Sequence, residues 1–87
     1  MTTLQKYQYV LQNYPQNLPI IQKGDMWITF DESAETISKI LNIPVTHFAE
    51  DGFIHKEVTF FNSDSELYFK LILSKNISLA ITQEPKK

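Results

Sequence analysis

The chain is 87 residues long, 43% hydrophobic and 13% aromatic, enough to close one core and no more, since a domain of this size buries only about 60% of the surface its unfolded chain exposes. Cysteine is absent, which excludes a disulfide framework, a thiol nucleophile and a cysteine-based zinc site, and fits a reducing compartment such as the cytoplasm. The formal charge is −2 and every basic residue apart from histidine is lysine, so a role coating nucleic acid through phosphate attraction alone, without arginine's planar fork, is disfavoured.

The first helix is predicted from Thr2 or Thr3 as cap, with Leu4, Tyr7, Leu11 and Tyr14 recurring at spacings of three and four on one buried face, and Pro15 ending it. Pro19 admits a short extended run at Ile20-Ile21-Gln22, and Lys23-Gly24-Asp25 reads as a hairpin turn into a strand from Met26 to Phe30. Alternation puts Met26, Ile28 and Phe30 on one face of that strand and Trp27 and Thr29 on the other. Asp31 is the expected N-cap of a second helix carrying Ala34, Ile37, Ile40 and Leu41 on one side, and Asn42 its stop.

Val45 to Ala49 and Phe53 to Phe61 are expected to pair across a Glu50-Asp51-Gly52 turn. Ser63 and Glu66 have capping-box spacing, predicting a third helix from about Asp64 to Lys75 whose apolar residues demand extensive cover. A last strand alternates Ile77, Leu79 and Ile81 with Ser78, Ala80 and Thr82. The expected architecture is an α/β (α+β) single small domain, a mixed β-sheet flanked by helices in the order α-β-β-α-β-β-α-β. It spans residues 1–87, with the core at about 4–84 and a polar tail at 85–87. The longest apolar runs, such as Leu71-Ile72-Leu73, are too short for a membrane span, and no basic-then-apolar leader opens the chain, so cytoplasm is the expectation.

Two polar groupings weigh as candidate chemistry. A three-residue turn at Glu50-Asp51-Gly52 would bring His47 nearly opposite His55, with Glu57 along the same face. Two imidazoles without a fixed third ligand read better as an exposed polar ladder than as a metal site. Asp31, Glu32 and Glu35 form a carboxylate cluster that capping and the helix dipole explain without acid–base chemistry. No metal and no cofactor is expected, and no enzyme: nothing pairs a nucleophile with a base.

The segment Gly24-Asp25-Met26-Trp27-Ile28-Thr29-Phe30, with Ala34, Leu41, Ile43 and Thr46, follows without a gap the Gly-Asp-Phe-Tyr-Glu-Leu-Phe segment, helix alanine and Leu-x-Ile-x-x-Thr ending of a known family. Tyr68, Leu71 and Ser78-Leu79-Ala80-Ile81 fit its Tyr-Leu-x-Lys-Leu and Ser-Val-Ala-Ile patterns. The chain thus resembles, over about Leu4 to Glu84, the N-terminal mismatch-recognition domain (domain I) of the MutS DNA mismatch-repair family, standing alone. In that family the Phe of a Phe-x-Glu motif wedges into the duplex beside the mismatched base while the Glu hydrogen-bonds it. Met26 and Ile28 occupy those positions here: Met26 can still wedge, whereas Ile28 has no group to offer a base edge. Thr59-Phe60-Phe61-Asn62-Ser63 stands where the family has its Gly-Phe/Ile-Pro turn and following His. The phosphate-binding loop of the family's ATPase domain is missing.

The resemblance implies a non-catalytic module contacting distorted or mismatched DNA through a tip made of Lys23, Gly24, Asp25, Met26, Trp27 and Ile28. Met26 is the wedge or a core residue, Trp27 a stacking ring or a buried support, and Lys23 a phosphate contact, joined by Lys6, Lys70 or Lys75 if the fold gathers them, or one of several scattered solvated lysines. The alternative is a protein-interaction or regulatory module that kept the fold and lost DNA reading, binding another protein through an exposed aromatic patch or a sheet edge.

Overall fold

A computed structural model describes residues 1–84. Along the chain run α1 (Thr3–Asn13), β1 (Leu18–Lys23), β2 (Met26–Phe30), α2 (Asp31–Leu41), β3 (Thr46–Glu50), β4 (Phe53–Phe61), a 3-10 turn (Asn62–Asp64), α3 (Ser65–Leu73) and β5 (Leu79–Gln83). The order is the expected one; the tail at 85–87 lies outside the described residues. The strands form one mixed sheet in the order β3-β4-β2-β1-β5. Only β1 and β5 run parallel, the connection between them crossing most of the domain.

Side-chain alternation splits the interior into two layers. On one face α2 and α3 cover Ile20, Trp27, Val58 and Phe60 with Ala34, Ile37, Leu41 and Ile72. On the other, Leu4 and Tyr7 of α1 sit on Ile21 and Phe30, with Ile28 and Phe48 at the margin. Capping explains where α1 starts: Gln5 N–H donates to Thr2 Oγ1 at 3.1 Å and Thr2 N–H to the Gln5 side chain at 2.8 Å. The buried face of α1 is shorter than its periodicity implied. Leu11 and Tyr14 are exposed, because Leu11 only borders an open recess of about 360 Å³ between α1, α2 and the chain entering β5.

Three junctions differ from expectation. Asp31 does not cap α2; the cap position is Phe30, with no side-chain bond to the helix. Strand β2 turns into α2 without a loop, the corner is made by Asp31 at φ +51°, and its carboxylate points to β4, accepting from Lys56 N–H at 3.2 Å and lying 3.1 Å from His55 Nδ1. Asn42 does stop the helix, in the left-handed region at φ 55°, ψ 47°.

The β3–β4 turn has two residues, Asp51 (φ 52°) and Gly52 (φ 82°), with Glu50 paired to Phe53. Positive φ at both centres matches the right-handed twist of the strands. Relative to a three-residue loop the register moves by one, so His47 faces Lys56, Phe48 faces His55, and the two histidines project to opposite faces. Among the described residues no group of three His, Cys, Asp or Glu could hold a metal ion.

Before α3, the predicted Ser63–Glu66 box is replaced by the 3-10 turn, closed by Ser65 Oγ at the start of α3, which donates to Asn62 O at 2.7 Å. Only Ile72 of α3 is buried, while Leu67, Leu71 and Leu73 are exposed. The cover expected for this helix is supplied along one side alone, where Tyr68 and Phe69 meet Phe60 edge to face at 5.1 and 6.0 Å.

Candidate nucleic-acid interface

The β1–β2 hairpin closes over Gly24 and Asp25, with Lys23 paired to Met26. Gly24, at φ +61°, takes the first central position of the turn, where a side chain is disfavoured and the turn matches the strand twist. Asn62 N–H donates to Asp25 O at 2.7 Å, so the turn is fastened to the end of β4 as well as to its own strands.

From this turn Met26 and Ile28 project to the sheet face that also carries Phe30. Helix α1 covers that face over Ile21 and Phe30 and leaves the turn-proximal end open. Met26 and Ile28 are accordingly half-buried rather than enclosed. Next to them on β4, Phe61 stands opposite Met26 and Thr59 opposite Ile28. Phe61 is 60% exposed and Thr59 is exposed. The result is a patch in which the half-buried Met26 and Ile28 lie beside the exposed Thr59 and Phe61, flanked by the exposed Lys23 and Asp25.

Trp27 faces the other way. It is 5% exposed, its ring meets Phe69 edge to face at 4.9 Å, and its Nε1–H donates to Asn62 Oδ1 at 2.9 Å. Its neighbours along the strand point to the open face, so period-two alternation commits the indole to the core. Trp27 therefore has no ring free to stack on a base, and the stacking role is corrected to support of the hairpin from beneath.

The lysines do not form one cluster of free charges. Lys6 lies 3.6 Å from Glu84 and Lys70 is 3.6 Å from Glu66, one helical turn away. Lys23 stands at the patch and makes no salt bridge among the described residues. Two of the carboxylates at the start of α2 are likewise engaged structurally: Asp31 holds His55 and the β4 backbone, and Glu35 pairs with Lys56.

Sequence reasoning placed Met26 and Ile28 on one face of β2 but missed Phe61 and Thr59 as their neighbours. The predicted extent of β4 contained the signal, since Val58 and Phe60 on one face force Thr59 and Phe61 onto the other. Which strand lies beside β2 is a question of topology.

The family model described as MutS domain I matches residues 1–87. The chain belongs to the MutS domain I family. No curated protein matches it. The β2 segment of this MutS domain I chain, with its open hairpin end, thus departs from the family's Phe-x-Glu pattern in a specific way: it presents two aliphatic side chains, and the one exposed aromatic ring beside them comes from β4. No helix among the described residues is long and apolar enough to cross a membrane.

Proposed function

We propose that this chain is a non-catalytic DNA-binding module of mismatch-repair type, acting in the cytoplasm, that meets distorted or mismatched duplex through the Gly24–Ile28 end of the β2 hairpin. The observation carrying the reading is the half-buried Met26 at that end, standing opposite the exposed Phe61, in a chain of the MutS domain I family. Met26 is the wedge: a flexible, polarisable side chain that adapts its shape to the gap between partly unstacked bases. Ile28 widens the apolar surface behind it. Lys23 contacts a phosphate, Gly24 and Asp25 form the turn that lets the hairpin approach, and Trp27 braces the strand.

Affinity is weak for the isolated module. At a net charge of −2 it releases few counterions, so its binding has a shallow salt dependence compared with basic DNA-binding domains. Titrating end-labelled matched, mismatched and single-stranded oligonucleotides with the protein at low salt tests the reading by anisotropy and gel mobility. Preferential binding of the mismatched duplex is expected; unchanged mobility and anisotropy at high micromolar protein would reject it.

A second reading rests on a different surface. Leu67 and Leu71, one turn apart on α3, are 61% and 40% exposed, an apolar stripe of the sort that seats against another protein. In this version the module retains the fold and serves as an interaction or regulatory domain. Retention of DNA binding by a Leu67→Ser/Leu71→Ser variant separates the two surfaces.

A further inference from the structure

Resting on the DNA reading above, we infer that β4 supplies the base-contacting chemistry that β2 lacks: Phe61 is the ring that stacks on an unstacked base, and the Thr59 hydroxyl is the hydrogen-bonding group that β4 offers to it. Cross-strand register carries the inference. Phe61 lies directly opposite Met26 and Thr59 directly opposite Ile28, and directly opposed residues of an antiparallel pair hold their Cβ atoms about 4.5–5.5 Å apart. Any base reaching Met26 is therefore within reach of the Phe61 ring, and any base edge over Ile28 is within reach of Thr59.

Phe61 is built as a platform rather than left over from the core. The next residue, Asn62, bonds through its backbone N–H to Asp25 O at 2.7 Å and accepts through Oδ1 from Trp27 Nε1 at 2.9 Å. The preceding residue, Phe60, is buried at 5% exposure. With both flanks fastened, the backbone that carries the ring is fixed and the ring stands out of the sheet at 60% exposure, so little backbone entropy remains to be lost when a base lands on it. An aromatic face accepts every base, because every base has a π-face.

Electrostatics points the same way. Asp25 is exposed at the turn beside Phe61, and its carboxylate repels phosphate. On the Phe61 side of the turn contact is therefore favourable through bases and unfavourable through the backbone, while Lys23, paired with Met26 on the neighbouring strand, meets the phosphate. Thr59 Oγ1 both donates and accepts, so a single hydroxyl engages any base edge without choosing among bases. The module consequently selects DNA for lost stacking and is nearly indifferent to which base is unstacked.

The test measures anisotropy of labelled duplexes carrying one unpaired A, C, G or T, against a matched duplex and a single strand, at low salt. Wild type is expected to favour all four bulged duplexes over the matched one with less than about threefold spread among them. Phe61→Ala is expected to weaken bulge binding roughly five- to hundredfold while leaving matched-duplex binding alone. Phe61→Tyr retains it, and Thr59→Val weakens the four bulges by a similar few-fold factor. Because Phe61 is largely exposed, an unchanged far-UV spectrum and unchanged Trp27 emission confirm the fold of each variant. If wild type prefers bulges and Phe61→Ala does too, the β4 assignment is overturned while the DNA reading stands. A preference for one base above about tenfold overturns the indifferent selection. Absence of any duplex binding by wild type overturns both readings together.

Discussion

Trp27 Nε1–H donates to Asn62 Oδ1 at 2.9 Å, joining the middle of the sheet to the turn that follows β4. The indole is packed among the core residues Phe60 and Ile72 and against Phe69, so it anchors both strands that carry the open patch. Trp27→Ala is expected to destabilise the domain by about 3–5 kcal/mol. Asn62→Ala, which keeps the packing and removes the acceptor, should cost about 1 kcal/mol. Urea unfolding followed by circular dichroism measures both; equal losses for the two variants would contradict the division of labour between packing and hydrogen bond.

At Asp31 a non-glycine residue is held at φ +51°, a conformation that Asn and Asp tolerate better than other side chains. Its carboxylate also satisfies Lys56 N–H. Asp31→Ala keeps the strained backbone and strips the acceptor, an expected loss of about 1–3 kcal/mol. Asp31→Asn retains an oxygen and the tolerated conformation and should lose clearly less. The ranking is read from denaturant midpoints.

Burial raises the Tyr7 phenol above its ordinary value of 10.0; the Ser33 hydrogen bond opposes this, and the Asp31 and Glu32 charges add to it. The hydroxyl is 2.7 Å from Ser33 Oγ in the interior. Below about pH 10 the group is neutral in both folded and unfolded chains and its contribution is complete. As pH rises past that value the unfolded chain ionises first, and the stability drains away until the folded-state phenol ionises too. Tyr7→Phe should lose stability at neutral pH, since Ser33 forfeits its partner, yet show a flatter decline above pH 10, measured by thermal melts across an alkaline series.

Ile28 occupies a position from which a carboxylate would face the same ligand as Met26. Ile28→Glu is expected to raise the preference for mismatched over matched duplex by about tenfold or more, the worth of a hydrogen bond to a charged group. Met26→Ala should reduce mismatched-duplex affinity without affecting the fold. Competition binding with both duplexes checks each; an unaltered ratio for Ile28→Glu and unaltered affinity for Met26→Ala would remove β2 from the interface.

Nothing lies within 4 Å of a Cβ added at Gly24, but its φ is +61°. Gly24→Ala is therefore a pure backbone test, with an expected cost of about 1–2 kcal/mol and no steric component. Gly24→Asn, better suited to positive φ, should recover part of it, as a thermal unfolding series will show.

Local chemistry already carried the element order. Turn glycines at 24 and 52, the Thr2 cap, the Asn42 stop and the full extent of β4 each depend on a few neighbouring residues, and period-two alternation put Met26 with Ile28 and away from Trp27. Where a reading depended on one residue of loop length it failed: the turn at Asp51-Gly52 is a residue shorter than expected, which separated His47 from His55. The covering of α3 and the far half of α1 was likewise misjudged, because apolar periodicity specifies a face and not the size of the surface it meets.

Side-chain direction along a strand is a property of the strand, so the composition of each face was written in the chain. Strand adjacency is a long-range outcome of how helices cross the sheet, and it alone set Phe61 beside Met26 and Thr59 beside Ile28. The depth at which Trp27 is buried, and hence its loss as a stacking ring, was decided the same way: by the arrival of α3, forty residues downstream, on the face to which alternation had already committed it.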